Sequence, residues 1–392
     1  MVVAGLFGLW AWRAGQGSAP ELPAGFKTAC NAVLGPVSLS VGSFVLLAVS
    51  YRARRWLVTP AVAWLVLNAS LAWLGLSLAD VNFAAIAARP DNVPIVAMVY
   101  LLGFFIWLGT YQGVKNDERL ARGQPVVESR YADTVLVWPD VIYLELIGAI
   151  IASVVLIVWS LWLRAPLESP ADPAVTPNPA KAPWYFLGLQ ELLVYFPPWI
   201  AGVVLPGLMI VGLMAIPYLD LSPRGSGYYS IRQRRGAYLI FLFGFLQLWV
   251  LPILIGTFFR GPNWSFFGLY EPHDPHKLIL AKNITLSEYF WVLGLGKGLP
   301  QVPPGCGAGG QFLHLLWREA PGILVSVAYM LGLPIALRYT WLKQVRQHVG
   351  RGRFAVLMFL LLAMLAVPLK MILVWTLHLS YLINMPEYFF YL

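Results

Sequence analysis

Charge is scarce in this sequence, and its scarcity argues against a soluble protein. Asp, Glu, Lys and Arg make up only 11% of the 392 residues, whereas 59% are hydrophobic. A water-soluble domain cannot bury that much apolar surface, so the composition indicates a protein that folds in a lipid bilayer. The net charge of +9 does not indicate nucleic-acid binding, because the basic residues punctuate apolar runs and form no continuous stripe.

Cysteine is almost absent. Cys30 and Cys306 are the only two, and neither belongs to a CxxC or CxxCH motif. A covalently attached haem c, an iron–sulfur cluster or a structural zinc site would each need more ligands, so none is predicted within this chain. Both cysteines fall in loops predicted on the same side of the membrane. A disulfide bond between them is therefore allowed, but nothing in the sequence indicates that it forms.

Long apolar runs, by contrast, recur along the chain. Each is predicted to be a helix that crosses the bilayer, because unpaired backbone polar groups are not tolerated in lipid. The first twelve residues are too short to cross and are interpreted as a partial or interfacial helix. We predict an all-α integral membrane protein with about eight transmembrane helices. The runs are 32–51, 56–78, 93–112, 138–163, 196–217, 237–258, 312–337 and 354–378.

Lys and Arg residues are distributed unevenly between the two sets of loops. One set holds 16 in 64 residues: 52–55, 113–137, 218–236 and 338–353. The other holds 9 in 132 residues: 13–31, 79–92, 164–195, 259–311 and 379–392. The positive-inside rule places the first set in the cytoplasm. We therefore predict a multi-pass protein of the cell inner (cytoplasmic) membrane, with loops 164–195 and 259–311 on the non-cytoplasmic face.

The loop between the fourth and fifth runs has an unusual composition. A helical pattern begins at Trp184 and places Trp184 and Glu191 seven residues apart on one face. It ends before Pro197-Pro198. The prolines that precede it exclude a helix and favour a stiff, extended crossing of the membrane surface. They are Pro166, Pro170, Pro173, Pro177, Pro179 and Pro183.

Together with its neighbours, this loop resembles the C-terminal domain of cytochrome b, called subunit IV where it is a separate chain. The resemblance runs from WPDVIYLELIGAIIASVVLIVW through LRAPLESPADPAVTPNPAKAPWYFLGLQEL to LPGLMIVGLMAIPYLD and RRGAYLIFLFGFLQLWVLPILIG. It includes three helices in order and the long loop after the first. We therefore predict three regions: 1–130 with about three transmembrane helices, a subunit IV-like domain at 131–262, and 263–392 with an outer loop and two further transmembrane helices.

The resemblance implies a subunit of a respiratory or photosynthetic quinol:cytochrome c or plastocyanin oxidoreductase, inactive alone. In that family the loop carries a Pro-Glu-Trp-Tyr motif at the outer quinol-oxidising site, and this chain has Ala182-Pro183-Trp184-Tyr185. The implied quinol-binding residues are Pro183, Trp184, Tyr185 and Phe186, with Tyr185 also catalytic. One electron would pass to a Rieske iron–sulfur protein and one to haem b, while protons leave outward.

The histidines indicate that other chains hold the metals. Two b haems across a helix bundle need four axial histidines paired on facing helices. Of the five histidines, only His314 and His378 fall within or at the edge of an apolar run, and neither run holds a second. The haem-binding cytochrome b N-terminal half is therefore expected on another chain, and the resemblance implies as further partners a Rieske protein and a c-type cytochrome or equivalent acceptor, beside membrane lipids.

Pro183 departs from the family motif, because the family has a glutamate there that is read as the proton acceptor. Proline cannot accept a proton, yet quinol oxidation in a medium of low dielectric constant requires acceptors. Glu191 is predicted to replace it, with Asp172 as a weaker candidate, and menaquinone is the expected quinone. The simpler alternatives are that Glu191 is a solvated surface carboxylate and that Trp184 and Tyr185 are membrane-interface anchors.

Three further charged groups invite interpretation. The segment YEPHDPHK resembles a metal-ligand cluster, but its prolines favour a rigid turn that contacts a partner. Arg318 and Glu319 are neighbours on a predicted helix and are not expected to face each other. Lys370 is expected to extend to the membrane surface. Its alternatives are contacts with a lipid phosphate, a quinone oxygen or another subunit.

The helices outside 131–262 are interpreted as scaffold for larger subunits, lipids or an unusual cytochrome partner. Loop 259–311 is predicted to dock the Rieske or haem protein. The alternative from a different class of function is a non-redox membrane anchor that has lost the quinol site. The proline at position 183 favours this alternative. A transporter is less favoured, because the ionisable residues cluster near the membrane ends and not at the midplane.

Overall fold

The computed structural model describes residues 2–16, 21–131, 135–163, 170, 172–220, 230–277, 282–340 and 342–392. Within these ranges, eight helices are long and apolar enough to cross a membrane, which confirms the predicted all-α integral membrane fold. We number them spans 1 to 8: Pro36–Leu57, Pro60–Ser77, Val93–Ala121, Val137–Trp162, Ile200–Leu219, Arg235–Phe259, Ala320–Leu337 and Arg351–Leu377.

Shorter helices flank the spans. Val2–Gly15 is a helix of 14 residues, which agrees with the predicted partial helix at the start of the sequence. The helical pattern after the proline-rich loop forms a helix of nine residues, Trp184–Leu192, named here the loop helix. The others are Ala24–Val33, Val81–Ala87, Ala308–Arg318 and Lys343–Val349.

The seventh predicted run, 312–337, is not one helix. A helix ends at Arg318, Glu319 lies at the break with φ −90° and ψ 5°, and span 7 begins at Ala320. Pro321 accounts for the break, because its nitrogen has no hydrogen to donate to the carbonyl of Trp317 one turn earlier. The prediction of a continuous helix across Arg318 and Glu319 is therefore wrong.

The largest buried core joins the loop helix, the beginning of span 5, the end of span 6, and span 8. Close approach of the loop helix to span 6 depends on small residues. A Cβ on Gly188 would lie 3.2 Å from the Ile253 side chain, and one on Gly256 would lie 3.3 Å from the Leu187 carbonyl oxygen. The buried residues of this core are Leu192, Tyr195, Ala201, Ile255, Phe259, Phe266, Val367 and Met371.

One pair of reciprocal hydrogen bonds ties span 1 to span 6 within the apolar layer. Ser43 Oγ donates to Gln247 Oε1 at 2.8 Å, and Gln247 Nε2 donates to the Ser43 carbonyl oxygen at 3.1 Å. Interhelical hydrogen bonds of this kind contribute about 0.6–2 kcal/mol each in membranes. Span 1, which lies outside the region of resemblance, is thus joined to the subunit IV-like helices.

Contacts between loops group them into the two predicted sets. At one end, Lys27 pairs with Asp80 at 2.5 Å and the Tyr270 backbone nitrogen donates to Asn31 at 3.1 Å. At the other end, Ser230 donates to Asp117 at 2.9 Å. Loops predicted on one face of the membrane therefore meet one another in the structure.

The loop after span 6 and the segment after span 8 pack together at the end of the helix bundle that carries the loop helix. We name this small unit the cap. Strand Ile284–Thr285 pairs in parallel with Leu379–Tyr381, and Asn384–Met385 pairs with Phe390–Tyr391 in an antiparallel arrangement. Span 4, in contrast to the cap, is not packed into a core, since every residue from 142 to 162 is exposed. Its apolar surface is left for lipid or for another chain.

Candidate functional site

The end of the proline-rich loop is fastened to the loop helix by one glutamine. The Ala182 backbone nitrogen donates to Gln190 Oε1 at 2.8 Å, and Gln190 Nε2 donates to the Ala180 carbonyl oxygen at 2.8 Å. Pro183 then precedes the first helical residue, where its missing N–H is not needed. The chain therefore enters the helix in a fixed direction immediately before Trp184.

The predicted quinol-binding residues lie together in the first turn of the loop helix. Trp184, Tyr185 and Phe186 are 39%, 46% and 52% exposed. The Trp184 and Tyr185 rings meet edge to face with centroids 5.6 Å apart, and the Tyr185 and Phe186 ring centroids are 4.7 Å apart. We name Pro183, Trp184, Tyr185 and Phe186 the aromatic cluster. Its accessible ring faces and edges suit a planar, apolar ligand with polar groups at its rim.

Glu191 lies two turns along the same helix, but it is fully buried. Arg260 Nη2 lies 2.7 Å from Glu191 Oε1, and Arg260 Nε lies 2.8 Å from Glu191 Oε2, so the guanidinium binds both carboxylate oxygens. Such bidentate pairs are the strong form of a charge-assisted hydrogen bond. The alternative that Glu191 is a solvated surface carboxylate is therefore wrong. Its predicted role as proton acceptor stays a prediction.

Tyr195 and Trp375 complete this buried group, which we name the ion-pair cluster: Glu191, Tyr195, Arg260 and Trp375. The Tyr195 hydroxyl donates to Glu191 Oε1 at 2.8 Å, and Trp375 Nε1 donates to the Tyr195 hydroxyl at 3.2 Å. The Arg260 guanidinium lies 5.4 Å from the centroid of the Trp375 indole. Span 8 thus contributes directly to the support beneath the loop helix.

The electrostatics keep the arginine of this cluster charged and its tyrosine neutral. Burial alone would lower the pKa of Arg260, but the charge and hydrogen bonds of Glu191, aided by Tyr195, raise that pKa above its ordinary value. Burial raises the pKa of Tyr195, and the negative charge of Glu191 raises it further. Tyr195 is therefore a permanent hydrogen-bond donor to the carboxylate at physiological pH.

Sequence reasoning missed Lys181, which lies two residues before Pro183. Its ammonium group donates to the Thr257 carbonyl oxygen at 2.9 Å, near the last residue of span 6. Burial, followed by the charge of Arg89, lowers the pKa of Lys181 to about 8. The available signal was a lone basic residue between prolines next to the motif. The weaker acid candidate, Asp172, is exposed and accepts a hydrogen bond from the Ala174 backbone nitrogen at 2.8 Å.

The segment YEPHDPHK forms a rigid turn. Asp274 accepts a hydrogen bond from the His276 backbone nitrogen at 2.8 Å, and Glu271 accepts one from the Gly268 backbone nitrogen at 2.9 Å and pairs with Lys277 at 2.5 Å. No group of three or more His, Cys, Asp or Glu side chains able to hold a metal occurs among the described residues.

The structure corrects two predictions about isolated charges. Arg318 Nε lies 2.9 Å from Glu319 Oε1, because the helix break turns the two neighbours toward each other, and Arg318 also binds Glu387 at 2.9 Å. Lys370 does not extend to the membrane surface: it is buried and donates to the Ser380 carbonyl oxygen in the cap.

The two cysteines are free in the structure. Cys30 lies on the helix Ala24–Val33, and Cys306 lies just before the helix Ala308–Arg318. The disulfide bond that the topology allowed is therefore not formed here. Both cysteines are half-buried.

Comparisons with known proteins agree with the resemblance. This is a multi-pass membrane protein, and its residues 170–257 match the family described as cytochrome b (C-terminal)/b6/petD. The chain is 24% identical to a cytochrome b of Acanthamoeba castellanii over 210 residues, which is 52% of this chain and 50% of that protein. It is 25% identical to a cytochrome b of Marchantia polymorpha over 141 residues, or 34% of this chain and 35% of that one. No solved structure matches.

These matches cover half the length of the named relatives or less. The family segment 170–257 contains the aromatic cluster and Glu191, and it ends three residues before Arg260. It lies within the predicted subunit IV-like region 131–262, which confirms the resemblance, whereas the boundaries of the three regions stay predictions.

Proposed function

We propose that this chain forms part of the quinol-oxidation site of a cytochrome bc-type electron-transfer complex. The proposal rests on the aromatic cluster, which occupies the place of the family's quinol motif. This cluster is exposed at the N-terminus of the loop helix, and the ion-pair cluster holds that helix in place. Hydroquinone, with menaquinol as the expected form, lies against these rings on the non-cytoplasmic side of the inner membrane. Its electrons pass to metal centres on partner chains.

The histidines of this chain do not fit a bis-histidine haem b. No described span contains a histidine: His314 lies on the helix before span 7, and His378 follows the last residue of span 8. A haem b and a Rieske iron–sulfur cluster therefore belong to partner chains, the cytochrome b N-terminal chain and the Rieske protein, with a c-type cytochrome or equivalent as the final acceptor. This chain supplies a wall of the site and a path for protons.

Within that wall, the ion-pair cluster has a positioning role. The guanidinium occupies both oxygens of Glu191, and Tyr195 donates to one of them. These bonds hold the Glu191 side chain in a fixed position relative to Arg260 and Tyr195. We infer that the cluster fixes the angle of the loop helix, and hence the position of Tyr185. The predicted proton-accepting role of Glu191 is the competing hypothesis, and mutation of Arg260 separates the two.

Replacing Tyr185 with alanine is expected to lower kcat/KM for quinol oxidation by at least about tenfold, or about 1.4 kcal/mol of transition-state stabilisation. The measurement is quinol:cytochrome c turnover of the complex purified through this chain. Tyr218, which is 73% exposed at the opposite end of span 5, provides the matched control. If Y185A and Y218A have the same turnover as the unmodified complex, the aromatic cluster is not a quinol site.

The second candidate function is a non-redox membrane anchor. The proline at position 183 favours it, because the motif acid of the family is missing there. A quinol-site inhibitor that shifts the spectrum of the partner's iron–sulfur centre supports the quinol site, whereas a complex that assembles but neither binds the inhibitor nor oxidises quinol supports the anchor.

A further inference from the structure

We propose that His273 is the residue that accepts protons from the quinol, a task for which the motif itself has no group. The inference rests on the proposed function and deepens it by assigning the outward proton route to one side chain of the turn YEPHDPHK, that of His273. It depends on three features of the structure: an unpartnered ring nitrogen, a pocket shaped for the imidazole, and a hydrogen-bonded connection to the loop before the aromatic cluster.

The first feature is the state of the imidazole nitrogen. His273 Nε2 is buried and has no hydrogen-bond partner among the residues that the structure describes, whereas the residue as a whole is only half-buried. Buried polar atoms are almost always paired in folded proteins, so an unpaired one indicates a group or water that binds there. One ring nitrogen is thus buried while other parts of the residue remain accessible to solvent.

The second feature is the packing of the ring. The His273 and Phe267 ring centroids are 4.7 Å apart. A Cβ on Gly261 would lie 3.2 Å from His273 Cγ and 2.7 Å from the Phe267 ring, so the glycine leaves the space that the two rings occupy. The imidazole is therefore held in one orientation.

The third feature is the connection to the quinol motif. Asn178 Nδ2 donates to Asn263 Oδ1 at 2.9 Å, and the Asn263 backbone nitrogen donates to Asn178 Oδ1 at 2.6 Å. Asn263 Nδ2 in turn donates to the Pro275 carbonyl oxygen at 3.0 Å. The loop that leads into the aromatic cluster and the turn that carries His273 are thus one hydrogen-bonded unit.

The charges around the ring favour its neutral form. Burial lowers the pKa of His273 below its ordinary value of 6.5, the positive charges of Lys181 and Lys277 lower it further, and the negative charge of Glu271 opposes them. The imidazole is therefore neutral at pH 7 and able to accept a proton. Lys181 itself, with a pKa of about 8, is an ammonium ion at that pH and cannot.

Oxidation of one hydroquinone releases two electrons and two protons. Hydroquinone loses two electrons, one at a time, to the iron–sulfur centre and the haem b of the partner chains. For each electron, one quinol O–H bond breaks and its proton, passed on by water molecules, forms an N–H bond at the buried His273 Nε2. The imidazolium then releases a proton to the outer aqueous phase before the second transfer, so two protons leave for each quinone formed.

The test uses the complex purified through this chain, with H273A, H276A and K181M variants. His276 lies in the same turn and is exposed, so H276A is the matched control. We expect H273A to lower quinol oxidation at pH 7 by about 100-fold, within the range of general base catalysis, and millimolar imidazole to restore turnover. The H276A complex should have normal turnover at pH 7, both with and without imidazole.

The pH profile adds a readout that a structural role would not change. Turnover of the unmodified complex should fall as the pH drops through the lowered pKa of His273, because the imidazolium cannot accept a proton. Loss of the Lys181 charge in K181M raises the pKa of His273, so this acid limb should move to higher pH. H276A should keep the limb unchanged.

Four outcomes overturn the inference. An unmodified complex that oxidises no quinol contradicts the proposed function as well. If that complex is active, H273A with normal turnover and an unchanged acid limb contradicts only the role of His273. The same holds for an assembled H273A complex that is inactive and does not respond to imidazole. Where H273A does not assemble, H273N keeps a planar side chain beside Phe267, and an unchanged acid limb in that variant is equally decisive.

Discussion

Replacement of Arg260 with methionine is expected to destabilise the protein by about 3–5 kcal/mol, the usual cost of removing one partner of a buried ion pair. Arg260 is 3% exposed, and Glu191 beneath the loop helix is completely buried. Among the described residues, the variant leaves the carboxylate with only the Tyr195 hydroxyl as a hydrogen-bond partner. The loop helix then loses its attachment to the end of span 6, and quinol oxidation should fall by at least about tenfold.

The measurement is thermal unfolding and quinol turnover of R260M beside R89M. Arg89 pairs with Asp91 on the same side of the protein, but the two side chains are 55% and 53% exposed. Exposed pairs contribute about 0–1 kcal/mol, so R89M should behave like the unmodified protein. An R260M protein that unfolds at the same temperature as R89M would contradict the positioning role of the ion-pair cluster.

The same variant decides between the two hypotheses for Glu191. If Glu191 is the proton acceptor, E191Q should abolish turnover. R260M should free the Glu191 carboxylate from its partner, and the complex should keep its turnover. If the cluster positions the loop helix, both single variants should lose turnover. The double variant E191Q/R260M should then recover part of the lost stability, because it leaves no unpaired buried charge.

Replacement of Gly322 with alanine is expected to detach the cap from span 7 and to destabilise the protein by several kcal/mol. A Cβ on Gly322 would lie 1.8 Å from the Leu382 carbonyl oxygen, which is backbone and cannot rotate away. Overpacking of this kind costs about 1–3 kcal/mol where neighbours can shift, and more where they cannot. The cap strands 379–381 and 384–385 must therefore move.

Gly332 in the same span offers the control, because its added Cβ would meet only the Ala328 Cβ at an ordinary 3.9 Å. Thermal unfolding and limited proteolysis of the C-terminal segment compare the two variants. We expect rapid cleavage after 377 in G322A and none in G332A. Equal resistance to protease in both would mean that the cap does not pack on span 7 as described.

The number and order of the spans could be predicted from the sequence, because apolar length alone decides whether a helix crosses a bilayer. The partners of the charges could not. Glu191 and Arg260 are 69 residues apart, and no helical or strand period relates them. Arg260 also follows span 6 directly, where a basic residue is easily interpreted as a topology signal.

The break at Glu319 was open to prediction, and the signal was Pro321. Apolar composition continues across 312–337, so hydropathy alone predicts one helix, whereas proline at the third position after Arg318 forbids the backbone hydrogen bond that continuity needs. The interpretation of the helices outside 131–262 as scaffold stays a prediction. Trp375 of span 8 donates to Tyr195, so a helix outside the family segment supports the candidate site.

The proposed function requires a quinol ring to lie against Trp184, Tyr185 and Phe186. Its most direct test is photoaffinity labelling of the purified complex with an azidoquinone, followed by mass spectrometric mapping of the labelled residue. We predict a covalent adduct within 182–192 that disappears when excess unlabelled quinol is present. An adduct that maps elsewhere, or one within 182–192 that excess quinol does not displace, would contradict the account.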